Sequence, residues 1–303
     1  MIKIILISFT TVICLTQAFA LIAPCTQSHL TMDGRNLSPA PYVHQNQNSA
    51  EPPNTNGMTK EKFMSIIDHV TEIFQPSFAK VGAILTVNKR WDDKNEDIYA
   101  AQWPNGNWRV TMTGGFARNP LITEDGFIAA LCHEIGHHIG GAPRSDNNKY
   151  WSSTEGQADY FATLKCFKKV METEDNIAIV AKMKIDSEVT LQCSNVYKTP
   201  QDIALCQRTA MAGKSVAVLI ASRSETPDIK FSTPDRSRVA KTMEDAPYPQ
   251  CRLDTFFQGT LCDKPISEEV SKDSASVGTC TAKDGVTLGL RPVCWYSPSG
   301  ESI

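Results

Sequence analysis

Residues 123–141 read Thr123-Glu124-Asp125-Gly126-Phe127-Ile128-Ala129-Ala130-Leu131-Cys132-His133-Glu134-Ile135-Gly136-His137-His138-Ile139-Gly140-Gly141. Phe127, Ile128, Leu131, Cys132, Ile135 and Ile139 recur at helical spacing. That predicts one amphipathic helix, opening after Thr123 and stopped by the two glycines. The segment also contains HExxH. A spacing of four puts His133 and His137 one turn apart on one face, where both imidazoles can address one metal ion with Glu134 beside them. Ala130 and Gly140 leave room on that face, and the apolar stripe lies opposite. His138 is set about 100° around the helix from His137 and is read as a neighbour without a metal role.

A catalytic zinc takes three protein ligands and keeps one position open. The pattern HExxHxxGxxH would place its third histidine at position 143, which is Pro143, so that arrangement is excluded. Ser153-Thr154-Glu155-Gly156-Gln157-Ala158-Asp159-Tyr160, with Glu155 eighteen residues beyond His137, opens the next predicted helix. Glu155 completes a two-histidine, one-glutamate set. Asp159, one turn on, would accept a hydrogen bond from the far nitrogen of a ligand histidine and fix its tautomer. The exchange, with Asp159 as ligand and Glu155 as bystander, is the alternative. The blander reading of Glu155 is a first-turn acid or a capping-box partner of Ser152.

Around this centre the chain is ordinary in composition. It has 303 residues, 41% hydrophobic and 21% charged, with a formal net charge of -3 and no long run of either sign. A collagen-like, coiled-coil or wholly disordered chain is excluded, and neither a nucleic-acid surface nor a polybasic membrane patch is indicated. Lys3, the apolar run Ile4–Leu15 and Ala18-Phe19-Ala20 read as a cleaved export signal over residues 1–20. Residues 21–58 read as a flexible arm, since 34–58 are rich in Asn, Pro, Gln and Ser. A metallopeptidase core is expected over 59–225, and a cysteine-rich extension of loops and short strands, completing or flanking the site, over 226–303. After removal of the signal no membrane-spanning segment is expected, because no later apolar stretch comes close to the required length.

Within the core, Thr59 caps a helix carrying Phe63, Ile66, Ile67, Val70, Ile73 and Phe74, with Pro76 beyond its end. Residues 83–87 read as a strand, and 97–103 with 107–113 as a hairpin with one buried face, Trp108, Val110 and Met112 alternating with polar residues. Further helices are expected near 154–171, 177–190 and 201–222. The sequence holds ten cysteines, one of them in the signal. Proximity suggests the pairs Cys193–Cys206, Cys251–Cys262 and Cys280–Cys294, with Cys132 as the free thiol; a bond from Cys132 to Cys25 or Cys166 is the other possibility. No CxxC spacing occurs, so a cysteine zinc ribbon has no support.

HEIGHH followed by EGQADYFA resembles the HtpX-like and CAAX prenyl protease family of gluzincin zinc metallopeptidases, with the resemblance running in order over about 59–170. It implies an α+β zincin-like domain: a helix, a small mixed sheet with an edge strand, the HExxH helix and a second ligand helix. It also implies that Trp108–Gly115 is the edge strand that adds an extended protein or peptide substrate to the sheet. The family's HPxxxxR segment is matched by Ala246-Pro247-Tyr248-Pro249-Gln250-Cys251-Arg252. Arg252 fits and is a candidate oxyanion donor with a catalytic role, whereas Ala246 replaces the histidine. Tyr160 is a second candidate donor, though a core aromatic is preferred for it. The function expected is an exported, periplasmic or secreted, zinc endopeptidase with Zn2+ on His133, His137 and Glu155. Glu134 is its base and Asp159 stands behind a ligand. The alternative is a protease-derived binding or chaperone-like factor of the cell envelope.

Overall fold

The computed structural model describes residues 28–29, 56–103, 105–145, 151–226 and 228–298. The proposed export signal and nearly all of the arm lie outside them. The described core begins at Asn56, slightly before Thr59. The Asn56 side-chain amide donates to the carbonyls of Ala117, Asn119 and Ile122 and ties the start of the fold to the entry of the HExxH helix.

Helix α1 spans Lys60–Lys80, capped by Thr59. It runs straight through Pro76, where the sequence predicts an end, because Phe78 one turn beyond Phe74 is also buried in the core. Tertiary packing there outweighs the lost backbone donor. Strands β2 (Ile84–Arg90), β3 (Tyr99–Gln102) and β4 (Asn107–Thr113) follow, and β1 is a two-residue pairing, Ser28–His29. The sheet order is β1-β3-β4-β2, with β2 parallel to β4 and the other pairings antiparallel.

The expected hairpin 97–113 is present, but β4 is a central strand rather than the edge. From Val110 to Thr113 both of its faces are buried, as expected of a strand with partners on both sides. The edges are β2 and the short β1. On β2 the Gln75 side chain bonds both the carbonyl and the N–H of Leu85, and Lys89 pairs with Asp68, so α1 covers that edge. On the other side β3 pairs, among the described residues, with the two residues of β1.

After β4 come a short α2 (Gly114–Arg118) and the HExxH helix α3, Glu124–Ile139, capped by Thr123. Every residue from Gly126 to His138 is buried, so the helix lacks the open side that its stripe suggests; it passes through the centre of the fold. The second helical stretch is α4 (Glu155–Phe161), a π turn (Ala162–Cys166) and α5 (Phe167–Met171). The single helix expected over 177–190 is two, α6 (Asn176–Val180) and α7 (Ser187–Val196), each opened by an aspartate cap.

Helix α8, Pro200–Ala221, packs along α3. Contrary to the sequence reading, it is long and apolar enough to cross a membrane, yet 72% of its apolar window is buried inside the fold, as in a core helix. The tail also departs from expectation: it contains a 13-residue helix, α9 (Pro249–Leu261), with Pro249 in the first turn where its missing N–H costs nothing.

Four disulfides join Cys132–Cys166, Cys193–Cys206, Cys251–Cys294 and Cys262–Cys280. Only the second matches the proximity pairing. Cys251 and Cys262 sit at opposite ends of α9, roughly 16 Å apart at 1.5 Å per residue, too far for a bond. Cys132 is bonded rather than free. Four such bonds mark an oxidising, exported compartment.

Candidate metal centre

The ligand set stands on two helices that cross at close range. Gly136 faces α4 so tightly that a Cβ there would lie 3.1 Å from the Cα and carbonyl oxygen of Ala158. Beside it the Gln157 amide donates to Gly140 O at 2.6 Å and Ser153 Oγ to Gly141 O at 2.7 Å. At the other end of α3, Asp125 is held by Arg208 through Nε and Nη2 at 2.9 and 2.8 Å.

This crossing brings His133, His137 and Glu155 together, with one ligand atom from each lying within 4.8 Å of the others. His133 Nε2 is 3.4 Å from Glu155 Oε2, and His137 Nε2 is 3.4 Å from Glu155 Oε1. Donors about 2.0–2.2 Å from one ion are themselves roughly 3.3–3.6 Å apart, so the set could hold a metal ion. The two Nε2 atoms, Glu155 Oε2 and both oxygens of Glu134 are buried without a hydrogen-bond partner. Orphaned polar atoms at this density are costly unless a cation or water answers them.

The far side of each imidazole is fixed. His133 Nδ1 is 2.7 Å from Asp159 Oδ1, and His137 Nδ1 is 3.0 Å from Ser153 O. The Ser153 contact places the N–H of His137 on Nδ1, whereas His133 Nδ1 meets Asp159 at ion-pair distance without hydrogen-bond geometry; both Nε2 atoms face Glu155. Asp159 is gripped in turn by Arg252, whose Nε and Nη2 each donate at 2.7 Å, with Nη2 also 3.7 Å from Glu155 Oε2. Both of these donors go to Asp159, so Arg252 positions the carboxylate that stands behind His133. Tyr160 is buried with its hydroxyl donated to Gly289 O, which removes the other candidate.

The electrostatics follow from burial and neighbours. Burial pushes Glu134 up to about 8, against the attraction of His133. Burial also opposes charge on His133, but Asp159 and Glu155 outweigh it and hold the imidazole at about 9. Burial dominates at His137 and brings it down to about 4. At Glu155 the histidines and Arg252 overcome burial and hold the carboxyl at about 2. The site therefore keeps one ionised carboxylate at the ligand position and one carboxyl, Glu134, poised to gain or lose a proton near neutrality.

His138 points away from this centre. Its ring stacks on Trp108 and Trp151, its Nε2 lies 3.1 Å from Arg109 O, and burial lowers its pKa to about 3. A second convergence, Asp235 with Cys251 and Cys294, is no ligand set, since those cysteines are bonded to each other.

Sequence reasoning missed three contributors. The Ser153 carbonyl carries no side-chain signal. Arg291 reaches from the tail to Gln157 Oε1 at 2.7 Å and to Ala142 O at 3.1 Å. Trp295, fully buried, lies flat against Gly156, where a Cβ would meet its ring at 2.3 Å. The tail thus supplies three side chains, Arg252, Arg291 and Trp295, that brace the ligand helices. No protein-family model matches the chain, and no curated protein or solved structure matches it.

Proposed function

We propose that the protein is an exported zinc endopeptidase of the gluzincin type, hydrolysing peptide bonds in proteins of the cell envelope or beyond it. The observation that carries the reading is the convergence of His133, His137 and Glu155 beside a buried, unpartnered Glu134. The two imidazoles and Glu155 would hold the ion. When bound, zinc supplies Lewis acidity toward water and toward a carbonyl. Glu134, buried beside the ligand set, would take a proton from the attacking water and return it to the leaving amine. Asp159 and Ser153 keep the imidazoles turned inward, and Arg252 keeps Asp159 in place. Substrate would be held as an extended strand on the β1–β3 side of the sheet, the side away from α1.

The test is elemental analysis together with two variants. Near one zinc per chain, lost in Glu155→Ala, is expected. Glu134→Gln should keep the zinc and lose peptide hydrolysis. Unchanged hydrolysis in Glu134→Gln would refute the mechanism, and a binding activity that survives that change would favour the chaperone-like alternative.

A further inference from the structure

Resting on this metal reading, we infer that the Cys132–Cys166 disulfide is a positioning element of the metal centre, holding the helix of His133 and His137 in register with the helix of Glu155. The ligand atoms come from two helices. Helix α3 alone fixes His133 relative to His137, but only the packing of α3 on α4 and the π turn fixes Glu155 relative to both.

That packing is held along its length. Gln157 bonds Gly140 at one end, Gly136 meets Ala158 in the middle, and Cys132 is joined to Cys166 at the other end, with Cα atoms 5.5 Å apart. Cys132 is the residue next to His133. Cys166 follows Glu155 by eleven residues and Asp159 by seven, at the far end of the π turn that continues α4. The bond also lies at the end of the π turn, where the second helix departs from regular geometry. Both cysteines are fully buried, so the link forms part of the interface rather than a surface staple. By contrast Cys193–Cys206 joins α7 to α8, and neither helix carries a ligand.

The experiment measures zinc affinity of the full-length oxidised protein by competition with a chromophoric chelator. Wild type is compared with Cys132→Ala/Cys166→Ala and with the control Cys193→Ala/Cys206→Ala, with circular dichroism and Tm recorded for each. A loss of about tenfold or more in the first pair is expected, the scale set by outer-shell partners of metal ligands, with affinity unchanged in the control even where its Tm falls. Wild-type affinity in the first pair, or an equal loss in the control, would overturn the inference. Cys132→Val/Cys166→Ala refills the volume of the sulfurs and serves if the double alanine variant unfolds. If both unfold while the control stays folded, the bond holds the fold and not the site, and the inference fails. No zinc bound by wild type would overturn the metal reading itself, and this inference with it.

Discussion

Replacing Arg252 by methionine keeps an apolar stem and removes the guanidinium that grips Asp159. In the native fold Arg252 Nε and Nη2 each lie 2.7 Å from that carboxylate, with the arginine 1% and the aspartate 0% exposed. Breaking a buried pair by removing one partner costs about 3–5 kcal/mol, because the remaining charge is left without water or counter-charge. His133 Nδ1 stays 2.7 Å from Asp159 and offsets part of this, so the lower end of the range applies. For a folded unit of this size 1 kcal/mol shifts Tm by about 2–4 °C, so a drop of roughly 6–12 °C is expected by scanning calorimetry. The companion variant Asp159→Asn/Arg252→Met removes both charges. It should recover much of the loss, because neutralising both members of a buried pair costs far less than orphaning one. A drop below about 3 °C in Arg252→Met, or a double variant showing the sum of the two single losses, would refute the positioning role. The charge of Arg252 would then have to act elsewhere in the site, on bound substrate in particular.

Gly156→Ala drives a methyl into the Trp295 ring, which a Cβ would approach to 2.3 Å. A loss of about 1–3 kcal/mol in chemical denaturation is expected, and a neutral result would show that the tail is not seated on α4. His138→Ala removes a ring stacked on Trp108 and Trp151 but no ligand, so zinc stoichiometry by elemental analysis should hold while Tm falls; loss of zinc would move His138 into the ligand set. Burial raises Asp254 to about 6 from an ordinary 3.8, so the folded state holds this proton more tightly than the unfolded chain does. Its contribution is full below about pH 4 and is lost as pH rises to about 6, an effect of up to about 3 kcal/mol. Asp254→Asn should flatten that part of the pH–stability curve relative to wild type, and an unchanged slope would contradict the shift.

Local pattern made half of the metal centre legible. The apolar recurrence from Phe127 to Ile139 fixes α3, and a spacing of four fixes His133 and His137 relative to each other whatever the rest of the chain does. Glu155 and Asp159 were readable for the same reason, as first-turn and second-turn acids of one further helix. What escaped is what depends on distant contacts. Pro76 is a stop signal only until Phe78 finds a core. Trp108–Thr113 alternates like a half-exposed strand, yet it is central because β2, more than twenty residues earlier, pairs with it in parallel. The cysteine pairing failed where it assumed that nearness in sequence means nearness in space, and α9 separates Cys251 from Cys262 by its own length.

The same division explains why the tail contributes more to the site than its composition suggests. A two-histidine turn needs nothing beyond its own helix, but ligand atoms set 3.4 Å apart across two helices require those helices to be held from outside. The sequence supplies that hold from residues late in the chain. Arg252 fastens Asp159, Arg291 fastens Gln157 and through it Gly140, and the Cys251–Cys294 bond fastens the segments bearing Arg252 and Trp295 to each other. Each brace crosses a long loop whose closure costs entropy and which no local pattern encodes. A chain truncated near residue 225 would keep His133, His137, Glu155 and Glu134, yet would leave Asp159 as a buried carboxylate without its cation. Such a fragment is expected to lose zinc affinity along with the fold, and metal binding at wild-type strength by residues 21–225 would show that the ligand helices need no support from the tail.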